Sequence, residues 1–220
     1  MKKYRILYED RDIFVLYKPS GLAVQSARPS VPDMMSMLRS ELMERGERSA
    51  RLGLVNRLDQ PVEGILLVGK NEKAAADLNR QIQDHIHTEK WYQALVCGKL
   101  SPKEGTLVDY LLKDGRTNTS RIVPEGTKGG KRSELRYETL REQEGKSLLR
   151  IRLLTGRHHQ IRVQLAHAGA PIAGDLKYGA ADAGQLCLCA FKMTFLHPRT
   201  RERMSFEVEP SFPALSTAPE

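Results

Sequence analysis

Apolar and polar positions alternate along most of this chain, the period expected of half-buried strands. Tyr4-Arg5-Ile6-Leu7-Tyr8 and Ile13-Phe14-Val15-Leu16-Tyr17 flank the polar triplet Asp10-Arg11-Asp12, and Lys18-Pro19-Ser20-Gly21 ends the second run, which predicts an opening hairpin. Gly64-Ile65-Leu66-Leu67-Val68 is apolar on both faces, as in a buried central strand. Trp91 to Cys97 reads as another strand. Leu135 to Leu140 and Leu148 to Leu154 alternate like an antiparallel pair with Gly145 in the turn, and Leu186 to Phe191 and Met204 to Val208 add two more. Three stretches carry helical spacing instead. Met34, Leu38 and Leu42 follow a capping Asp33 in a helix predicted through Met43. Leu78, Ile82 and Ile86 follow a capping Asn71. Ile161, Leu165 and Ala168 form the apolar stripe of a helix predicted from Gly156.

Strands outnumber helices and most connections are hairpin-like, so the expected class is α+β, a mostly antiparallel mixed sheet flanked by helices. No composition break, internal repeat or heptad pattern interrupts the chain, and residues 1–220 are expected to form a single domain with a frayed tail over 210–220.

Charge adds a partner class. With 35 Lys+Arg against 27 Asp+Glu the net charge is +8, which points to a phosphate-bearing partner, although many basic proteins bind none. Residues 113–133 concentrate that charge in Lys113, Arg116, Arg121, Lys128, Lys131 and Arg132, against Asp114 and Glu125. This segment reads either as a mobile basic loop able to follow a phosphate backbone or as a solvated hairpin tip. The charged start of the chain resembles no signal peptide and no apolar run could span a membrane, so a cytoplasmic protein without a membrane partner is expected. Cys97, Cys187 and Cys189 form no disulfide framework and read as structural thiols of a reducing compartment. His158, His159 and His167 match no common zinc spacing, so no metal is expected.

Two residues stand out chemically. Gln60 precedes Pro61 and is pushed toward an extended conformation, which places Asp59 in a turn at a strand end. Most such aspartates only hydrogen-bond their turn, but Arg57 nearby favours an ionised carboxylate. Arg162 lies at the border of the stripe of the third helix, with His158 on the same side one turn earlier. A guanidinium there needs a carboxylate partner, because a bare buried charge costs several kcal/mol. Asp59 is a candidate, and the sequence leaves that pairing open. Trp91 alternates with Tyr92 across its strand and is expected to pack in the core.

NRLD followed by GILLVGK, then EKWYQALVCG, TGRHHQIRVQLAHAGAPIAGD and FLHPRT, in this order and spacing, resembles the RluA-type family of pseudouridine synthases over nearly the whole chain. The resemblance implies the pseudouridine-synthase catalytic fold. It also implies an enzyme, expected to be a monomer, that isomerises uridine in structured ribosomal or transfer RNA with no cofactor and no metal. Residue by residue, it implies that Asp59 is the catalytic aspartate, that Tyr92 packs on the target base and moves a proton, and that Arg162 pairs with the aspartate. Arg57 matches an arginine associated with opening the RNA. Asn56, Lys90, Arg157, His159 and Gln160, with Arg116, Arg121, Lys128, Lys131 and Arg132 of the basic segment, are the further expected RNA contacts. The chain departs from the family pattern at Asn56, usually His, and at Val62 and Glu63, usually a small hydroxyl residue and Ser. It is expected to begin at the catalytic domain with no separate RNA-binding domain, which would leave targeting to the basic segment and the basic surface. The alternative is a non-catalytic RNA-binding or RNA-folding protein on the same scaffold.

Overall fold

The opening alternation does fold as a hairpin. In the computed structural model, which describes residues 4–26, 31–47, 51–84, 86–181, 184–213 and 215, β1 (Arg5–Glu9) pairs antiparallel with β2 (Ile13–Lys18). Asp10 locks the turn, its Oδ1 accepting from the N–H groups of Asp12 at 2.8 Å and Ile13 at 2.9 Å. The chain divides into two compact units, Met1–Glu89 with Ala190–Glu209 and Lys90–Cys189 with Pro210–Glu220.

In the first unit, β2 pairs antiparallel with β4 (Glu63–Gly69), every residue of which is buried, as its two-faced apolar pattern implied. The two-residue β3 (Gly53–Leu54) also lies against β4. From Ala190 onward, β10 (Leu188–Leu196) belongs to this unit and pairs with β11 (Arg203–Glu207). Gly64 is required where β4 meets that strand: it has φ +126°, and a Cβ there would lie 2.4 Å from the Ala190 carbonyl oxygen.

Two helices cover this unit. α1 (Met34–Glu44) starts at Asp33, which forms a capping box with Ser36, and buries Met34, Met35, Leu38 and Leu42. α2 (Glu72–Asp84) starts at Asn71, whose Oδ1 accepts from the Ala74 N–H at 2.9 Å. α2 stops at Asp84, two residues short of Ile86, and Ile86 is 75 % exposed. The buried face is Ala74, Ala75, Leu78 and Gln81. Gln81 replaces an apolar side chain there because its amide bonds the backbone of Leu196 through both atoms, at 2.9 Å each. Asn71→Ala is expected to cost about 1 kcal/mol, which thermal unfolding should register as a fall of roughly 2–4 °C; an unchanged midpoint would show that the cap is dispensable.

The second unit is an antiparallel sheet in the order β5-β9-β8-β6-β7, formed by β5 (Glu89–Cys97), β6 (Glu104–Asp114), β7 (Thr119–Val123), β8 (Lys131–Gln143) and β9 (Lys146–Leu153). Of the two readings of the basic segment, the hairpin is the one observed: β6 and β7 pair antiparallel, with Arg116 and Lys128 in the exposed turns at either end of β7. Residues 113–133 hold the end of β6, all of β7 and the start of β8, and Ser120 and Val123 point inward while Arg121 stays exposed. Short polar strands between glycine turns hide this pattern in the sequence.

α3 (Gln160–His167) is also shorter than predicted. It starts at Gln160 and not at Gly156, because residues 155–159 form a turn that ends with His159 at φ +55°. Gln160 through Leu165 are all buried, and Ala168 is an exposed cap outside the stripe. His158 precedes the helix and does not share a helical side with Arg162. Trp91 is half-buried and outside the core, flanked by the guanidinium groups of Arg150 and Arg152 at 5.9 and 5.6 Å from its ring. All three cysteines are free, Cys187 and Cys189 buried. The tail expected to fray lies largely outside the described residues, although Phe212 is buried.

Candidate functional site

Asp59 lies in the first unit, half-buried, in a turn closed by the Val62 N–H donating to its carbonyl at 3.0 Å. The segment after β2 supports that turn from beneath. Gly21 N–H donates to the Gln60 carbonyl at 2.9 Å, Gln60 Nε2 donates to the Gly21 carbonyl at 3.0 Å, and the Ser20 hydroxyl donates to the Pro61 carbonyl at 2.8 Å. Lys18 is at the centre of this support. It is fully buried, and its Nζ donates to the carbonyls of Leu22 at 2.7 Å, Pro19 at 3.0 Å and Gln60 at 3.0 Å. Burial pushes its pKa down to about 8, against the opposing pull of the Asp59 and Glu63 charges.

In the sequence Lys18 shows only as a lysine ending an otherwise apolar strand. Glu63, one of the departures from the family pattern, is 1 % exposed and accepts from the Tyr17 hydroxyl at 2.8 Å, so it is a component of this buried charged group. Asn56 holds its segment against β4, donating to the Ile65 carbonyl at 3.1 Å and accepting from the Leu67 N–H at 2.7 Å. Arg57 is exposed.

Tyr92 and Arg162 lie in the second unit. Tyr92 is buried on β5, paired in register with Ile151 of β9. Lys90, also buried, has its Nζ beside Gly156, 3.6 Å from where a Cβ would stand, and burial lowers its pKa. Arg162 is gripped side-on by Asp175, with Nε to Oδ2 and Nη2 to Oδ1 both 2.7 Å. Its guanidinium also lies 5.0 Å from the centre of the Tyr178 ring. Asp175 is the last residue of the TGRHHQIRVQLAHAGAPIAGD motif, and Tyr178 lies just beyond it.

The other expected RNA contacts divide by burial. Gln160 is buried and fully engaged: its Oε1 accepts from the Thr155 hydroxyl at 2.8 Å and the Arg157 N–H at 2.9 Å, and its Nε2 donates to the Glu134 carbonyl at 3.1 Å and to Gln164 at 3.0 Å. His159 is buried with Nδ1 2.7 Å from the Tyr178 hydroxyl, and its ring stacks on His158 at 3.8 Å. These two residues shape the turn rather than face outward. Arg116, Arg121, Lys128, Lys131, Arg132 and Arg157 are exposed; Arg157 Nε donates to the Arg132 carbonyl at 3.0 Å. A cleft of about 600 Å³ between β7 and α3 has Arg121 and Tyr178 among its walls.

Among the described residues, one group has metal-ligand atoms within 4.8 Å of one another: Asp10, Asp12 and His197. Its atoms are engaged in the fold. Asp10 accepts from two backbone N–H groups and lies 2.9 Å from His197 Nε2. The Arg199 guanidinium, 2.6 Å from Asp12, holds that carboxyl below the usual carboxylate range. No described helix is long and apolar enough to cross a membrane.

The family model described as RNA pseudouridylate synthase matches residues 12–167. An uncharacterized RNA pseudouridine synthase of Bacillus subtilis, YlyB, is 34% identical over 211 residues, 92% of this chain and 67% of that protein. Ribosomal large subunit pseudouridine synthase C of Escherichia coli is 37% identical over 213 residues, 92% of this chain and 65% of that protein. The chain thus spans about two thirds of the length of these curated relatives, and slightly less for most of them. Among solved structures, human RNA pseudouridylate synthase domain containing 4 superposes with TM-score 0.77 at 19% identity, over 93% of this chain and 88% of that one. The corresponding domain-containing-1 protein gives 0.77 at 24%, over 96% and 84%. Both share the α+β fold. The chain belongs to the RNA pseudouridylate synthase family.

Proposed function

We propose that this chain is an RNA pseudouridine synthase whose catalytic carboxylate is Asp59, with Tyr92 as the stacking and proton-moving group and Arg162 as the cation serving the carboxylate. The two units would act as one catalytic domain. The observation that carries this reading is the anchoring of the Asp59 turn: a buried lysine, a serine hydroxyl and paired backbone bonds hold the residues that follow the carboxylate. A turn aspartate with only a capping role would need no such support.

The reaction breaks the N1–C1′ bond of uridine and forms a C5–C1′ bond. The hydrogen on C5 leaves as a proton and N1 gains one, so no cofactor or metal is needed. An ionised carboxylate can act as nucleophile or stabilise the sugar, and a buried tyrosine offers both a flat face and an exchangeable proton. The base must leave its stack to be reached, which costs less in a loop than in a duplex. Because several relatives are named ribosomal large subunit pseudouridine synthases, large-subunit ribosomal RNA is the proposed substrate, in the cytoplasm.

Transcripts carrying tritium at uridine C5 test this directly. Release of tritium into water, in proportion to pseudouridine formed, is expected; RNA binding without release would reduce the protein to a non-catalytic binder. The exposed cations of β6 to β8 are proposed to follow the phosphate backbone. Arg121→Glu with Lys131→Glu is expected to weaken RNA affinity by about tenfold or more and to flatten its salt dependence. Unchanged affinity in filter binding would remove this face from the interface.

A further inference from the structure

We propose that Asp175 and Tyr178 are positioning residues for Arg162, one holding an edge of its guanidinium and the other its face, so that the Nη1 edge points in a fixed direction. The proposal rests on the reading of Arg162 as a catalytic cation and adds how the fold aims it.

The pair is almost wholly buried, with side-chain exposures of 6% for Arg162 and 1% for Asp175. Removing both charges from water costs about as much as their attraction returns, so such a pair is a poor device for stability. A bidentate fork is, however, a good device for orientation, because two parallel bonds fix the plane of the guanidinium as well as its position. Asp175 engages the edge formed by Nε and Nη2, so the Nη1 edge is directed away from that fork.

The backbone is built to deliver both groups together. Gly174 has φ +78°, and a Cβ there would lie 2.2 Å from the Gln185 carbonyl oxygen, so only glycine lets the chain turn into Asp175 at this point. The Asp175 carbonyl then accepts from the N–H groups of Tyr178 and Ala180, both at 3.1 Å, and this tight turn brings the tyrosine ring over the guanidinium. The Tyr178 hydroxyl is itself held, accepting from the Ser120 N–H at 2.9 Å and lying 2.7 Å from His159 Nδ1. The edge and the face of Arg162 are thus held by residues three apart in sequence, one of them tethered to β7 and to the residue before α3.

Steady-state pseudouridine formation by the full chain separates aim from architecture. Asp175→Asn is expected to lower kcat by about 10- to 100-fold and Tyr178→Phe by about 3- to 10-fold, both leaving KM for RNA within about twofold, since a displacement near 1 Å carries costs of that order. In the double variant Asp175→Asn with Arg162→Lys, activity should fall no further than in Arg162→Lys alone. Wild-type kcat in both single variants, or a rise confined to KM, would overturn the proposal. Should Asp175→Asn fail to fold, Tyr178→Phe, which keeps the ring of a half-buried side chain, decides by the same criterion. Asp59→Asn is assayed alongside. If it turns over, the underlying reading of the site fails; if it is inactive while both positioning variants keep full kcat, only the present proposal does.

Discussion

Asp59→Asn is expected to give a folded protein that still binds RNA and forms pseudouridine at least about 1,000-fold more slowly, the scale of losing a reacting group. The substitution is isosteric, and the bonds that secure its turn come from the backbone of Gln60 and from Lys18, Ser20 and Gly21, none of which it removes. What it takes away is the negative charge. One further consequence distinguishes this position from an ordinary capping aspartate. The Asp59 charge helps to keep Lys18 protonated, so the variant should drive the Lys18 pKa further down, which its side-chain NMR titration would record. Tritium release compared at matched protein, with filter binding as the control for folding, is the decisive pair of assays. A variant retaining even a tenth of the rate would remove Asp59 from the chemistry.

Lys18→Met is expected to destabilise the protein and slow catalysis together. Two terms oppose each other. Holding the charge in its buried site, with a pKa of about 8 against the usual 10.5, costs about 3 kcal/mol, and methionine relieves that. Against it, the carbonyls of Pro19 and Leu22 lose their Lys18 donor, at about 1–3 kcal/mol each when left buried, and the Gln60 carbonyl keeps only the Gly21 N–H. The second term is larger, so a net loss of roughly 1–3 kcal/mol follows, or a fall in melting temperature of about 2–12 °C. Activity should drop at least about tenfold at temperatures where the variant is folded, because the Gln60 carbonyl beside Asp59 loses one of its two tethers.

The pH dependence supplies a sign that can be checked. Between about pH 8 and 10.5 the unfolded chain keeps a proton on Lys18 that the folded protein has released. For this group, therefore, stability increases with pH across that window, and its burial penalty is present in full below about pH 8. Comparing unfolding free energies of the wild type and Lys18→Met at pH 7.5 and 10 isolates the contribution. If the difference between the two proteins is the same at both values, Lys18 does not titrate as described.

The sheet was legible because its strands alternate or are buried on both faces, and β2, β4 and β5 are strong examples. The helix caps Asp33 and Asn71 were legible because a short polar side chain before an apolar periodic run has one good use. What misled was chemistry between segments far apart in sequence. Nothing in the Leu78-Ile82-Ile86 spacing reveals that Gln81 would take the buried position by bonding Leu196, 115 residues away. The start of α3 was misplaced because Gln160 fills its first turn with side-chain bonds, leaving residues 155–159 outside the helix. For the proposed site, motif order points to Asp59, Tyr92 and Arg162. The buried charges of Lys18 and Asp175 do not stand out, since a buried ionic partner shows in sequence only as one more charged residue near an apolar run. The basic segment was recognised by composition while its form stayed open between loop and hairpin, because a strand such as Thr119–Val123 with two inward residues carries too little periodicity to read.

A base-resolved pseudouridine map of total RNA bears most directly on catalysis by Asp59. Cells carrying the intact gene, the Asp59→Asn gene and no gene would be compared. The expected result is one or a few uridines in large-subunit ribosomal RNA that are modified only with the intact gene, and equally unmodified in the other two. A map identical in all three strains, or one in which the asparagine variant restores the modification, would contradict it.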